Sequence, residues 1–133
     1  MAFVADNSVV VAWFIASQAS ARTNSLLERA AMEDVHVPFI WRAEFAATLL
    51  ALSHGRRLQP ARIPAILDEL ERLELVHDAT PPTARSLIGL GRRYALSAYD
   101  ACYLELALRL RFPLAARDAP LRKAAERAGV ALA

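Results

Sequence analysis

Short apolar runs alternate along this chain with longer segments whose apolar residues recur at helical spacing. Runs of this kind are typical of strands that are buried on both faces. Such strands belong to parallel sheets that helices cover on either side. The alternation therefore predicts an α/β fold with a central, mostly parallel sheet. The predicted strands are Phe3–Ala5, Val35–Val37, Leu75–Val76, Phe112–Ala115 and Val130–Leu132.

Seven helices are predicted between and after these strands. Residues that favour helix N-termini mark several of the starts, with Ser8 at the first helix, Ser97 at the sixth and Asp118 at the last. Thr80, which precedes two prolines, marks the fifth, because proline suits the first turn of a helix. The predicted helices are Ser8–Ile15, Ala21–Met32, Ile40–Ser53, Pro60–Leu73, Thr80–Tyr94, Ser97–Leu110 and a final helix from Asp118.

Four carboxylates stand at the polar edges of these apolar segments: Asp6, Glu44, Asp100 and Asp118. Burying a carboxylate against apolar neighbours costs free energy unless its charge is compensated. Asp6 and Asp118 follow predicted strands, and ligands bind parallel sheets beyond the carboxyl ends of the strands. Carboxylates brought close together repel one another, and a shared divalent cation relieves that repulsion. The pattern indicates a metal site with oxygen ligands, which suit Mg²⁺ or Mn²⁺.

Each of these carboxylates also has a purely structural interpretation. Ser97 and Asp100 have the spacing of a capping box, with aspartate in place of the usual glutamate. Asp118 has the sequence context of a helix N-cap. Asp6 fits the end of a strand, and Glu44 fits a solvated position on a helix. The case for a metal site rests on the four residues taken together.

Other kinds of site fit the sequence less well. The histidines His36, His54 and His77 have no Cys or His partner at the spacing of zinc ligands. With four glycines, the chain has neither a glycine-rich phosphate loop nor a G-x-S-x-G nucleophile motif. Ser8, two residues after Asp6, is placed to hydrogen-bond that carboxylate or to add a hydroxyl near a metal.

The basic residues are almost all arginine, since Lys123 is the one lysine among sixteen Lys and Arg residues. Arginine binds phosphate bidentately and stacks on bases, which suits a nucleic-acid substrate. A GC-rich coding sequence gives the same bias without any function. Arg42, near Glu44, and Arg117, beside Asp118, are the candidates for contacting the backbone of a nucleic acid.

The remaining sequence features predict a cytoplasmic protein. No apolar run approaches the roughly 20 residues of a membrane span, and the N-terminus lacks the basic residues of a signal peptide. The single cysteine, Cys102, has no disulfide partner in the chain and is expected to be a small buried residue. The aromatic residues expected in the core or at a dimer contact are Trp13, Trp41, Tyr99 and Tyr103.

At the four carboxylates the chain resembles the PIN-domain nucleases, and most closely the VapC-type toxins of bacterial toxin–antitoxin pairs. The resemblance covers nearly the full length and implies one domain over residues 1–133. The block that reads Tyr-Asp-Ala-Cys-Tyr-Leu from Tyr99 is the most specific part. The matching segments, in order, are Val4–Val9, Pro38–Glu44, Leu96–Ala107 and Leu114–Asp118.

The resemblance implies a three-layer α/β/α fold and an endoribonuclease that hydrolyses RNA phosphodiesters by water activated at Mg²⁺ or Mn²⁺. It also implies a homodimer, a VapB-like antitoxin partner, and tRNA or rRNA as the substrate. Carried over by motif, the metal-binding and catalytic residues are Asp6, Asp100, Asp118 and Glu44, the last binding directly or through water, with Ser8 as hydroxyl support and Arg42 and Arg117 at the RNA.

Two departures from the family pattern leave other functions open. The chain has Ala47 where related toxins often carry Asn, and Ala116 where they often carry Thr or Ser. Lost supporting contacts commonly cost about 10–100-fold in metal affinity or activity. One alternative is therefore a catalytically weak or inactive PIN-fold module that binds RNA or a protein partner. A Mg²⁺-dependent phosphatase or DNA nuclease is another.

Overall fold

Four parallel strands form the central sheet of the protein, in a computed structural model that describes residues 1–133. The strands are β1 (Ala2–Ala5), β2 (Asp34–Val37), β3 (Val76–His77) and β4 (Leu114–Ala115). Their order across the sheet is β3-β2-β1-β4, and every neighbouring pair is parallel. The chain thus builds outward from β1 on one side and returns to its other side with β4.

Seven α-helices flank this sheet, so the predicted three-layer α/β/α class is confirmed. Short 3-10 turns at Ala16–Gln18 and Pro60–Arg62 join some of them. No helix combines the length and apolar character that crossing a membrane requires. The helices are α1 (Asn7–Phe14), α2 (Ala21–Ala30), α3 (Trp41–His54), α4 (Ile63–Arg72), α5 (Ala84–Tyr94), α6 (Ala98–Leu110) and α7 (Ala119–Arg127).

The core is one cluster of 28 buried residues in which β1 and α6 are central. Alanines at contacts between elements, such as Ala107 on α6 and Ala125 on α7, are fully buried. Small side chains at these contacts let helices approach each other and the sheet closely. Cys102 is also buried, and burial raises the pKa of its thiol to about 11. It is the small buried residue that the sequence predicted.

Two helices have N-caps other than those predicted. The first begins at Asn7 and is capped by Asp6, whose side chain accepts from the Ser8 N–H, so Ser8 is not the cap. The fifth begins at Ala84, and Thr83 caps it by accepting from the Ser86 N–H at 3.1 Å. A residue before proline avoids the helical region, so the consecutive prolines after Thr80 delay the helix.

Several helices and strands at the edges of the fold are shorter than predicted. The second helix ends at Ala30 and the fourth begins at Ile63, after the 3-10 turn. The predicted C-terminal strand is reduced to one parallel bridge between Leu114 and Leu132. Strand β4 starts only at Leu114, because Pro113 has no N–H to donate to a ladder.

Candidate functional site

The candidate site lies where β1 and β4 leave the sheet. The Asp6 N–H donates to the carbonyl of Ala115 at 2.9 Å, which holds the two strand ends side by side. From β1 the chain crosses to β2 on one side, whereas β4 lies on the other. This is the switch point at which parallel sheets bind ligands. Asp6 and Asp118 follow these two strands, as the sequence predicted.

Asp6 is a buried carboxylate, with only 6% of its surface exposed. Its Oδ1 accepts from the Ser8 N–H at 2.8 Å, and its Oδ2 accepts from the Ser8 hydroxyl at 2.9 Å. Burial raises the pKa of Asp6 to about 6, against the lowering effect of these hydrogen bonds. The charges of Asp118 and Glu44 raise this pKa further, so both carboxylates lie within electrostatic reach of Asp6.

Glu44 stands in the first turn of α3 and is half-buried. The Tyr103 hydroxyl donates to its Oε1 at 2.6 Å. Burial raises the pKa of Glu44, the Tyr103 hydrogen bond opposes that rise, and the charge of Asp100 adds to it. Glu44 is therefore not the solvated helix residue of the structural interpretation.

Asp100 lies in the first turn of α6, whose N-cap is Ser97. The Asp100 N–H donates to the Ser97 Oγ at 3.1 Å, but no hydrogen bond returns from the Asp100 carboxylate to Ser97. Only half of the predicted capping box is present, so the Asp100 carboxylate is not used in capping and remains available to bind a ligand at the candidate site. The pKa of Asp100 is raised to about 6. Burial is the largest cause, and the charges of Asp118 and Asp6 add to the rise.

Asp118 serves as a helix cap and also contributes its charge to the site. It is exposed, and its Oδ2 accepts from the Leu121 N–H at 3.3 Å at the start of α7. The structural interpretation of Asp118 is thus confirmed. Its charge nevertheless raises the pKa of both Asp6 and Asp100. The two interpretations are compatible, because a capping carboxylate keeps unused lone pairs.

The donor set of this cluster fits a hard divalent cation. All four groups are carboxylates, and the raised pKa values of Asp6 and Asp100 reflect burial and the charges of neighbouring carboxylates, which a cation would offset. In their present rotamers, no three His, Cys, Asp or Glu side chains converge closely enough to hold a metal ion. Oxygens of Asp6, Glu44 and Asp118 accept hydrogen bonds within the chain instead, from Ser8, Tyr103 and the Leu121 N–H.

Three residues near the cluster were not singled out from the sequence as part of the site. Tyr103 is one of them, as the partner of Glu44. Asn7 and Thr48 are the others: the Asn7 Nδ2 donates to the Thr48 Oγ1 at 3.1 Å, and that hydroxyl donates to the Glu44 carbonyl at 3.0 Å. The Asn7 Oδ1 is buried without a partner. Thr48 thus provides a polar contact one residue beyond Ala47.

The two candidate arginines face different surroundings. The Arg117 Nη1 lies 3.5 Å from both the Ser8 carbonyl oxygen and the Gln18 Oε1. This places Arg117 at the end of the sheet where the carboxylate side chains lie. Arg42 is exposed and lies near His77, whose pKa is lowered by burial and then by the Arg42 charge. Arg117 is therefore the better placed of the two.

The predicted core aromatics divide into two groups. Trp13, Trp41 and Tyr103 are buried, as expected. Tyr99 is 64% exposed, so it is not a core residue, and the other alternative, a dimer contact, stays a prediction. Tyr99 occupies the first turn of α6, where its neighbour Asp100 faces the cluster and Tyr99 points to solvent.

A separate groove of about 730 Å³ runs between α3 and α4, and none of the four carboxylates lines it. Nine of its thirteen lining residues are hydrophobic, with Leu50 and Leu67 partly exposed to solvent. Trp41 also lines the groove, and its buried Nε1 has no acceptor. Arg42 lies at this groove.

Comparisons with known proteins agree with the architecture. The sequence matches the PIN domain family over residues 3–127. Among solved structures, the protein PAE2754 from Pyrobaculum aerophilum is similar with a TM-score of 0.71 and 17% sequence identity, covering 92% of this chain and 84% of that one. At this identity the similarity concerns the fold alone. No curated protein sequence matches the chain.

Proposed function

The chain belongs to the PIN domain family, and from that premise we propose that it is a Mg²⁺- or Mn²⁺-dependent endoribonuclease, the toxin of a VapC-type toxin–antitoxin pair. The PIN domain is generally a nuclease fold, and PIN nucleases generally use divalent metals. The observation that carries the proposal is that four carboxylates lie near the switch point of the sheet, where the charge of at least one neighbouring carboxylate raises the pKa values of Asp6, Glu44 and Asp100.

In the proposed site, Asp6, Asp100 and Asp118 hold the metal and Glu44 binds it directly or through water. When bound, the ion supplies a positive charge that lowers the pKa of water and neutralises charge on the phosphoryl oxygens. Ser8 keeps both Asp6 oxygens oriented by its two hydrogen bonds. Arg117, at the carboxylate end of the sheet, offers a guanidinium to the RNA backbone, which the acidic cluster alone would repel.

The partners and setting follow from the toxin proposal. A ribonuclease toxin requires a cognate VapB-like antitoxin, and we expect a homodimer that acts on tRNA or rRNA in the cytoplasm. Arg42 stays a weaker candidate for RNA contact because it lies at the apolar groove rather than beside Ser8.

The experiment that tests the proposal is cleavage of end-labelled tRNA, rRNA and single-stranded DNA by the purified protein with Mn²⁺, Mg²⁺ or EDTA. Asp100→Asn is the inactive variant and Asp68→Asn is its matched control, since Asp68 is exposed on α4. We expect internal RNA cuts that need metal, persist in Asp68→Asn and disappear in Asp100→Asn. Cleavage of DNA in preference to RNA, or full activity of Asp100→Asn, would contradict the proposal.

The second candidate is the catalytically weak or inactive module that binds RNA or a protein. It is favoured by the absence of three converging metal ligands in the present rotamers. The same assay separates the two, because this candidate predicts RNA retention without cuts at any metal concentration. The polar contact at Thr48 argues against it, because α3 keeps a supporting side chain next to Ala47.

A further inference from the structure

The side chain of Tyr103 combines deep burial with a polar contact to the candidate site. It is 1% exposed, and its hydroxyl donates to the Glu44 Oε1 at 2.6 Å, across 59 residues of chain. An O–H···O⁻ contact of that length is typical of a charge-assisted hydrogen bond. Burial raises the pKa of Tyr103, and the Glu44 contact raises it further, so the hydroxyl keeps its proton and acts as the donor.

The geometry of α6 links this contact to the carboxylate cluster. Tyr103 lies three residues after Asp100, and residues three apart occupy the same face of a helix. One face of α6 therefore carries both a carboxylate of the cluster and the group that holds a second carboxylate. Tyr103 is locked by packing among core residues, so its hydroxyl has a fixed position.

The α3 backbone at Glu44 is fixed separately, by the chain of hydrogen bonds from Asn7 through Thr48 to the Glu44 carbonyl. These hydrogen bonds fix the backbone of the helical turn but do not restrict the rotamer of the long Glu44 side chain. The Tyr103 hydroxyl makes the one hydrogen bond to the Glu44 carboxylate. The direction of the carboxylate is thus set from α6.

We infer that Tyr103 is a positioning residue that aims the Glu44 carboxylate at the metal site. The inference rests on the proposed function, because it assigns Glu44 to that site. The competing explanation is that a buried tyrosine hydroxyl simply needs an acceptor and takes Glu44 for that purpose. The two differ in one respect: only a positioning residue changes metal affinity through Glu44.

The test is a cycle of variants titrated with Mn²⁺ by calorimetry in the absence of RNA. Tyr103→Phe removes the hydroxyl and keeps the ring. We expect the Mn²⁺ Kd to rise by about tenfold, the lower end for contacts that orient metal ligands. In a Glu44→Gln background the same change is expected to have no further effect. Tyr94→Phe is the control, because Tyr94 is half-buried and its ring, not its hydroxyl, contacts Arg93 and Arg127.

Two results overturn the inference while leaving the proposed function intact. One is a wild-type Mn²⁺ Kd in Tyr103→Phe. The other is a loss of affinity from Tyr103→Phe that is equally large in the wild-type and the Glu44→Gln backgrounds, since the effect would then not pass through Glu44. If wild-type protein binds no Mn²⁺, the proposed function fails and the inference fails with it.

Should Tyr103→Phe not fold, Glu44→Asp replaces it in the cycle. This variant keeps the charge but shortens the side chain by one methylene, which withdraws the carboxylate from the Tyr103 hydroxyl. A loss of Mn²⁺ affinity as large as that of Glu44→Gln, with an unchanged melting temperature of the metal-free protein, supports positioning, because the retained charge then does not suffice. A wild-type Mn²⁺ affinity overturns the inference.

Discussion

Ser8 donates to both carboxylate oxygens of Asp6, through its N–H at 2.8 Å and its hydroxyl at 2.9 Å. The pair closes the turn between β1 and α1, so the residue that follows the first strand also caps the first helix. Both hydrogen bonds favour the ionised form of a carboxylate whose burial favours the neutral form. Ser8 therefore keeps a buried negative charge within the cluster.

Ser8→Ala is expected to destabilise the protein in a pH-dependent manner. The variant loses the hydroxyl bond to Asp6 and keeps the backbone bond. A hydrogen bond to a charged group contributes about 1.5–3 kcal/mol. The pKa of Asp6 is about 6 in the folded protein, so the carboxylate is ionised at pH 8 and mostly neutral near pH 5. The loss in free energy of unfolding, measured with urea, should be larger at pH 8.

The control for this prediction is Ser25→Ala, an exposed serine on α2. It should change the free energy of unfolding by less than about 0.5 kcal/mol at either pH. An identical loss for Ser8→Ala at pH 5 and pH 8 would show that the hydroxyl does not act on the charge of Asp6.

Asp100→Asn is expected to stabilise the metal-free protein at neutral pH. The pKa of Asp100 is raised from 3.8 to about 6, so its ionised form costs stability above pH 6, and the cost disappears as pH falls toward 4. Asp100 is half-exposed, and solvent screening reduces the cost to about 1 kcal/mol. A gain of that size raises the melting temperature by a few degrees. The gain should be present at pH 7.5 and absent near pH 4.

Mn²⁺ should reverse this order of stability. A ligand at about 100 times its Kd adds ~2.7 kcal/mol to the free energy of unfolding. We expect wild-type protein to melt at a higher temperature with millimolar Mn²⁺ and Asp100→Asn to respond little. Asp68→Asn, on the exposed face of α4, should respond as wild type does. Equal Mn²⁺ responses in all three proteins would remove Asp100 from the site.

The sequence was sufficient to predict the layers of this fold, and it also singled out the four carboxylates, whose role at a metal stays a prediction. Both follow from local patterns. A buried strand before Asp6 and helical spacing after Ser97 are visible in any short window of the chain. Helix starts were harder to place, as at Thr83, because several capping residues compete for one start and the two prolines shift the outcome. The C-terminal bridge at Leu132 depends on the register against β4, which no local pattern specifies.

The supporting contacts of the site were not predictable in the same way. Tyr103 reads as a core aromatic at helical spacing, and it is one, but its hydroxyl meets Glu44 from a different helix. Thr48 and Asn7 lie 41 residues apart and meet through the packing of α1 against α3. Tyr99 was expected in the core or at a dimer contact, and its side chain faces solvent on α6. Such contacts depend on tertiary packing, which spacing along one element does not determine.

Mn²⁺ binding is expected to weaken as pH falls from 7 to 5. The pKa values of Asp6 and Asp100 are both about 6, and protons compete with a cation for the same oxygens. Each group is mostly ionised at pH 7 and mostly protonated at pH 5, so the Kd should rise by about tenfold per group, and up to ~100-fold for both. Calorimetric titration at half-unit pH steps measures this slope.

Asp100→Asn separates the contributions to that slope. With one titrating ligand removed, the residual Mn²⁺ affinity should depend less steeply on pH. A Kd that stays flat between pH 5 and pH 7 in the wild type would mean that neither carboxylate takes part in binding.

Arg117→Ala is expected to reduce RNA affinity through one lost phosphate contact. Its guanidinium lies at the carboxylate end of the sheet, near the Ser8 carbonyl and Gln18. Measured in the Asp100→Asn background, which prevents cleavage, the slope of log K against log salt should become shallower by about 0.7 on a single-stranded RNA. Arg72→Ala, an exposed arginine on α4, is the control and should leave the slope unchanged. The same slope for Arg117→Ala and its control would show that Arg117 does not contact RNA phosphates, and other arginines would then have to bind the RNA backbone.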